Sequence, residues 1–258
     1  ISWQTYWMKL TFDDIANVPV ADASSVSDWN TWFSLPANGT PFTTATVKGN
    51  QVWLSGGGGD IKFKDYLFGS NACGIHLLSI VDDGIGIVEL GEGVFSDWGS
   101  GPECCYNLKK ALLPNVTDVG GWAFADCFEL VDVDLSSLSI ASFESSTYLF
   151  NSNYKLADIS KCIPNGVTYM PEGQFTATAI TSFTIPDTVA SIHSNFIGHC
   201  NNLHEVSVSP SHPNFTAIDG VLFSKDETII YIYPAGKAGN EYIIPEGTTI
   251  IAGNAFDG

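Results

Sequence analysis

Apolar residues recur along this chain in a fixed order. From Phe183 to Ser209 the segment FTIPDTVASIHSNFIGHCNNLHEVSVS gives Ile-Pro, Val-x-x-Ile, Phe, Cys and then Leu-x-x-Val-x-Val. LPNVTDVGGWAFADCFELVDVDL, from Leu113 to Leu135, has the same order, and IIPEGTTIIAGNAFDG, from Ile243, supplies its first half again. Two degenerate copies lie between, one with Phe150 and Leu156-x-x-Ile159, the other with Ile163-Pro164, Phe175 and Ile180-x-x-Phe183. Phe95 and Leu108 mark a copy that carries the insertion GSGPECC. In Leu-x-x-Val-x-Val the alternation predicts a short strand with the marked residues inward and the x residues facing solvent. Pro114, Pro164, Pro186 and Pro245 follow these strands, where a missing N–H ends the ladder at little cost.

The repeated Phe95, Phe124, Phe150, Phe175 and Phe196 are separated by 29, 26, 25 and 21 residues, within the roughly 20–29 of a leucine-rich repeat. No unit of that length buries its own apolar side chains, but stacked units make continuous columns. The expected fold is a β-rich right-handed leucine-rich-repeat solenoid of about six repeats, residues 69–258, incomplete at the C-terminus. One β-hairpin is inserted at about 210–237: Val221 to Phe223, a polar Ser-Lys-Asp-Glu turn, then Ile229 to Tyr233.

Residues 1–68 show no repeat and are read as a small α+β cap or attachment segment. Within it, SDWNTWFS predicts a short helix capped by Asp28, with Trp29, Trp32 and Phe33 on one face. ATVKGNQVWLS predicts a hairpin around Gly49-Asn50, DIKFKDYLF continues with alternating Ile61 and Phe63, and Gly56 to Gly59 is a flexible connection.

Composition narrows the partners. The chain has 10 basic against 28 acidic residues, a net charge of −18, and its nearest basic cluster is Lys109-Lys110. Nucleic acid and anionic membrane surfaces are thereby poor partners. No apolar run reaches the roughly 18 residues of a membrane span. The sequence starts at Ile1 without an initiator Met, which leaves room for a leader or a larger N-terminal part, so the lack of a signal-peptide pattern proves little. Six cysteines are too sparse for a disulfide scaffold, and Cys127 and Cys200 recur in one context, which predicts buried thiols acting as small hydrophobes.

The candidate binding surface follows from strand phase. Outward positions, coil by coil, are Lys110 and Leu112, Asp132 and Asp134, Asp158 and Ser160, Ser182 and Thr184, Glu205 and Ser207. They are expected to line one acidic sheet face, suited to a basic protein or a sugar. Trp3 and Trp7, in an opening segment without a cap of its own, are candidates for docking onto another chain. His193, His199, Cys200 and His204 are close in sequence, but the register turns Cys200 inward and the histidines outward, so no metal site is assigned. Asp82-Asp83 and Asp132-x-Asp134 offer paired carboxylates without EF-hand spacing. No P-loop, nucleophile elbow or zinc-protease motif occurs, and neither a catalytic residue nor a cofactor is assigned.

The units resemble the BspA-like, or Treponema-type, leucine-rich repeat over about Ile80 to Gly258. The resemblance is carried by Ile185 to Val208 and by AIDGVLFSKDETIIYIYPAGK leading into YIIPEGTTIIAGNAF. It implies a surface-exposed bacterial protein that adheres to host proteins or other cells, extracellular and without catalytic residues. WQTYWMKLTFDDI and SSVSDWNTWFSLP resemble segments of gut-phage virion proteins, which implies a virion structural or receptor-binding protein as an alternative. A third reading is a carbohydrate-binding accessory module of a larger secreted protein. The partner is then a protein or surface glycan of another cell, with other chains possible at the N-terminal segment.

Overall fold

The structure, a computed structural model, describes residues 7–33, 42–56, 60–68, 74–96, 105–239 and 241–257. The chain is a β-solenoid of about eight turns, two more than the Phe spacing alone suggests. Strand β1 (Trp7–Phe12) alternates strictly: Met8, Leu10 and Phe12 are buried while Trp7, Lys9 and Thr11 face outward. Helix α1 (Val26–Phe33) starts three residues earlier than a cap at Asp28 would place it. The Ser25 hydroxyl accepts the Asp28 N–H (3.2 Å) and donates to the Asp28 carboxylate (2.9 Å). Ser25 is therefore the cap, and Asp28 is the third helical residue of a reciprocal capping pair. Trp29 and Phe33 are buried, and Trp32 is half-buried against Phe68, 5.1 Å between rings.

Strands β2 (Thr44–Lys48) and β3 (Gln51–Ser55) form the hairpin expected around Gly49-Asn50. Gly49 has the positive φ that such a turn requires. The flexible connection at 57–59 lies outside the described residues. Next come β4 (Ile61–Phe63), β5 (Leu77–Asp83), β6 (Ile87–Leu90), β7 (Lys110–Leu112), β8 (Asp118–Val119) and β9 (Asp132–Asp134). One sheet runs β2-β3-β1-β5-β7-β9 and a second runs β4-β6-β8. Pairing is antiparallel as far as β5 and parallel from there on. The N-terminal hairpin thus extends the solenoid's own sheet, and Ile61–Phe68 already belongs to a coil of the ladder, because β4 pairs in parallel with β6.

Helix α2 (Ile140–Ser145), capped by Ser139, replaces the short strand of its coil. Its Ser142 hydroxyl takes over the ladder bond by accepting the Val119 N–H (2.7 Å). Strands β10 (Tyr169–Met170), β11 (Ser182–Ile185), β12 (Ser191–Ile192) and β13 (Glu205–Val208) resume the coils, with β10 pairing β12 and β11 pairing β13 in parallel. The inserted segment is a three-stranded meander, β14 (Phe215–Ile218), β15 (Val221–Ser224) and β16 (Ile229–Ile232), joined in parallel by β17 (Ile250–Ile251). The sequence reading lacked β14, although Asp219 and Gly220, both at positive φ, form the tight turn that makes it.

Phenylalanines fill the centre. Phe68, Phe95, Phe124, Phe150 and Phe175 are all buried and stack at 5.2, 5.0, 5.3 and 5.8 Å between successive rings, with interplanar angles of 6–25°. Full burial of one such ring stabilises the fold by about 1.5–3 kcal/mol. Phe33 of α1 closes the column from below through Phe63, stacked at 5.4 Å.

The position three residues after the ring explains the recurring cysteines. Cys127 Sγ donates to the Phe95 carbonyl (3.8 Å) and Asn153 Nδ2 to the Phe124 carbonyl (2.9 Å). Thr178 Oγ1 donates to the Phe175 carbonyl (2.9 Å), as does Cys200 Sγ, four residues after Phe196 (3.0 Å). The column therefore calls for a small side chain with a donor, which Cys, Asn and Thr all provide, so the reading as small hydrophobes is incomplete. Cys162 is different: it takes the apolar column of Leu113 and Leu135, since the Leu135 N–H donates to the carbonyl just before it, at Lys161 (3.1 Å). Cys73 and Cys104 lie outside the described residues.

Candidate functional site: the outward sheet face

Register places the predicted outward residues. Lys110 lies beside Asp132 and Leu112 beside Asp134 across β7 and β9. Ser182 lies beside Glu205 and Thr184 beside Ser207 across β11 and β13, with the two hydroxyls of the latter pair 2.7 Å apart. Asp158 and Ser160 break the series. The inward residues of their coil are Leu156, Ile159 and Cys162, so it holds one residue more than Leu130, Val133 and Leu135 span. The extra residue bends the segment out of strand conformation, and the Asp158 carboxylate accepts the Ser160 N–H (2.9 Å). Lys161 instead reaches Asp134 (2.8 Å). The face is therefore two strand patches separated by a turn, not one uninterrupted sheet.

The carboxylates are less free than the sequence suggests. Lys110 pairs with Asp132 at 2.8 Å, both side chains nearly half exposed. Burial pushes the Asp134 carboxyl up, but hydrogen bonds from Lys161 and Ser136 outweigh this and hold it below the usual carboxylate range. Hydrogen bonds from Ser160 similarly lower Asp158. Exposed pairs of this kind contribute only about 0–1 kcal/mol each, so an incoming partner can exchange them at small cost.

The stronger feature of the face is one that strand phase, applied only to the repeats, did not reach. Because β3 and β1 continue the sheet, their outward residues join it. One row runs Thr46, Trp53, Lys9, Val81, Leu112, Asp134, and the adjacent row runs Lys48, Gln51, Thr11, Ser79, Lys110, Asp132. Trp7 packs on Trp53 at 4.3 Å between rings. Lys9 lies over both indoles, at 5.8 and 5.5 Å, and Lys48 lies over Trp53 at 4.3 Å. The quadrupole of each indole face attracts these ammonium groups. One end of the sheet is thus aromatic and basic, the other acidic and paired. The alternation in WMKLTF and QVWLS carried the signal. Trp3, the other docking candidate, lies outside the described residues.

Other sequence candidates separate in space. Asp82 is buried and fastens a turn by accepting the N–H groups of Ile85 (2.7 Å), Gly86 (3.2 Å) and Ile87 (2.8 Å), while Asp83 is exposed. His199 meets Asp257 (3.2 Å), His204 bonds the Gly236 carbonyl (2.6 Å), and Cys200 points into the core. Among the described residues no group of three or more His, Cys, Asp or Glu side chains could hold a metal ion. Beside α2 an open cleft of about 530 Å³ is lined by Asp65, Glu89, Glu92 and Asp118. Lys62 pairs with Glu89 there, and the Tyr66 hydroxyl donates to Glu92 (2.9 Å). No helix among the described residues is long and apolar enough to cross a membrane.

The fold and its columns define a leucine-rich-repeat solenoid. Residues 86–204 match the family model of the BspA type leucine rich repeat region in six copies, so this part of the chain is similar to BspA-type leucine-rich repeats. A leucine-rich repeat protein from Eubacterium ventriosum is similar in structure, with a TM-score of 0.51 and 22% identity over 78% of this chain and 51% of that one. A leucine rich cell surface protein from Faecalibacterium prausnitzii gives a TM-score of 0.49 and 21% identity over 79% of this chain and 56% of that one. The chain thus spans about half the length of the solved structures it matches. No curated protein matches it at a significant level. A repeat fold of this kind is consistent with a binding role.

Proposed function

We propose that this chain is a non-catalytic adhesion or recognition protein of a cell surface, and that it holds a protein on another cell through the outward face of the β2-to-β9 sheet. The observation that carries the reading is the Trp7–Trp53 pair with Lys9 and Lys48 over its rings at one end of the sheet, and Asp132 and Asp134 on the last strand at the other end. Aromatic anchors on a face whose two ends carry charges of opposite sign suit a protein partner with complementary charge. Domain division follows the same logic: the segment before Ile61 would close the solenoid's end and carry the aromatic half of the face, while the coils from Ile61 onward would carry the rest.

Binding of the fluorescently labelled chain to intact bacterial and epithelial cells tests this, with protease-treated and periodate-treated cells in parallel. Saturable binding lost on protease treatment is expected. The double variant Lys9→Ala with Trp53→Ala should weaken it at least tenfold, and Asp132→Asn with Asp134→Asn should weaken it less. Binding left unchanged by both variants would remove the sheet face from consideration.

A further inference from the structure

A second surface, on the corner where each coil turns into its strand, has a different chemistry. Aligned on the inward leucines, the position two residues earlier reads Tyr106, Phe128, Tyr154, Thr178 and Asn201 in successive coils. The first three stack as a ladder, 4.8 Å between Tyr106 and Phe128 and 5.2 Å between Phe128 and Tyr154. There the ladder stops, because the next coil is one residue shorter between its ring and Ile180: Thr178 is drawn into the buried donor column, its hydroxyl bonding the Phe175 carbonyl, and no ring follows. One ring face of Tyr154 is covered by Phe128. The residue as a whole remains 57% exposed.

The step leaves an open cleft of about 390 Å³. It is lined by Tyr154 of one coil, by Ala177 and Thr178 of the next, and by His199, Asn201 and Asn202 of the coil after that. Residues two coils apart are separated by roughly twice the ~4.8 Å strand spacing, which admits one flat ring between them. The corner that builds the cleft is fixed by its backbone: Ser152, Ala177 and His199 all adopt positive φ. The N–H of Ser152 donates to the Thr176 carbonyl (2.9 Å) and that of Ala177 to the Gly198 carbonyl (2.9 Å). Non-glycine residues held in this region mark a shape that the surrounding structure imposes.

Charge decides the ligand class. Lys155, beside Tyr154, is taken by Glu129 (2.6 Å), His199 faces Asp257 (3.2 Å), and the Asp126 carboxylate accepts the Ser152 hydroxyl. What faces the cleft is an aromatic ring, two exposed primary amides that both donate and accept, and small neutral groups. From this juxtaposition we propose that the Tyr154 cleft binds one or two residues of a neutral glycan, the apolar face of a pyranose lying on Tyr154 and its hydroxyls bonding Asn201 and Asn202. A phosphate, a uronic acid or a sialic acid would find no unpaired cation there. The volume falls near the lower end of ordinary ligand pockets, as a short saccharide requires. This site goes beyond the sheet-face reading and stands independently of it.

The test uses the whole chain and saturation-transfer NMR with the methyl β-glycosides of glucose, galactose and N-acetylglucosamine, their β1,4-linked trimers, and sialyllactose as the acidic control. At least one neutral probe is expected to receive saturation at its ring protons and to bind in the millimolar range or tighter. Tyr154→Ala should weaken it tenfold or more, Tyr154→Trp should retain it, and Asn201→Ala with Asn202→Ala should weaken it severalfold. Each variant is checked by circular dichroism for an unchanged fold, and Tyr154→Trp distinguishes loss of the platform from loss of structure. The Lys9→Ala, Trp53→Ala variant should bind the glycoside like the wild type, so failure of one site is separable from failure of the other. The proposal is overturned if no neutral probe binds, if sialyllactose alone binds, or if Tyr154→Ala binds as tightly as the wild type.

Discussion

From Phe68 to Phe175 the central rings lie nearly parallel; beyond Phe175 they do not. Phe183, a strand residue, tilts against Phe175 at 40°, and Phe196 meets Phe183 edge-on at 63°. The coil has shortened from 25 residues to 21 between successive rings. The backbone ladder nevertheless continues, since the Phe175 N–H donates to the Phe196 carbonyl (2.9 Å). A solenoid can therefore change its coil length and keep its hydrogen bonds, provided another apolar side chain fills the gap in the column. The regular half is held by identical contacts repeated, the irregular half by substitutes and by the meander. His212 is one such tie, its ring buried between the Pro186 carbonyl (3.2 Å) and the N–H groups of Asn214 and Phe215 (3.2 Å each).

The largest loss is expected at the best-packed ring. Phe124 touches rings on both sides, so Phe124→Ala is expected to cost about 3–5 kcal/mol and to lower the midpoint of chemical denaturation for both halves together. Phe196→Ala, at the irregular end, should cost less and leave the Phe68-to-Phe150 stack protected in hydrogen exchange. Equal losses would mean that the stack adds nothing beyond burial.

A smaller effect sharpens the role of the donor column. Asn153→Ala leaves the buried Phe124 carbonyl without its side-chain partner and should cost about 1–3 kcal/mol, whereas Asn153→Cys, which copies the neighbouring coil, should recover part of that. If alanine proved as good as cysteine in thermal denaturation, the column would be a matter of size alone.

The smallest expected effect lies where α2 meets the next coil. Burial raises the Glu144 carboxyl, but the N–H and hydroxyl of Thr168 and the N–H of Tyr169 outweigh this and hold it below its ordinary 4.5. A depressed carboxyl contributes stability above the unfolded pKa and loses it as pH falls through the folded one. The wild type and Glu144→Gln should thus differ in melting temperature at neutral pH and converge below about pH 4.5. A gap that persisted in acid would assign the difference to packing instead.

Much of this was legible in the sequence, because one phenylalanine and one Leu-x-x-Val per coil set both period and phase. Phe68 escaped notice because DIKFKDYLF was read as part of the non-repeat N-terminal segment rather than as a coil. Asp158 and Ser160 were misplaced on the face because a single extra residue shifts phase, and period-2 reading has no means of locating it. The aromatic end of the candidate face depended on β1 pairing with β5, a contact across about 70 residues that no local pattern encodes. The Tyr154 cleft was present as a column of five residues but could be read only after the coils were aligned on their leucines.

The buried cysteines carry a consequence for the redox conditions under which the chain can work. Desolvation pushes the thiols of Cys162 and Cys200 above the ordinary thiol range, and it is the thiolate that attacks disulfides and oxidants. Cys200 also spends its proton on a backbone carbonyl. Outside a cell, where exposed thiols are oxidised or cross-linked, these two would stay reduced as long as the coils stay shut. Their modification by a thiol reagent would then report the opening of the solenoid, coil by coil.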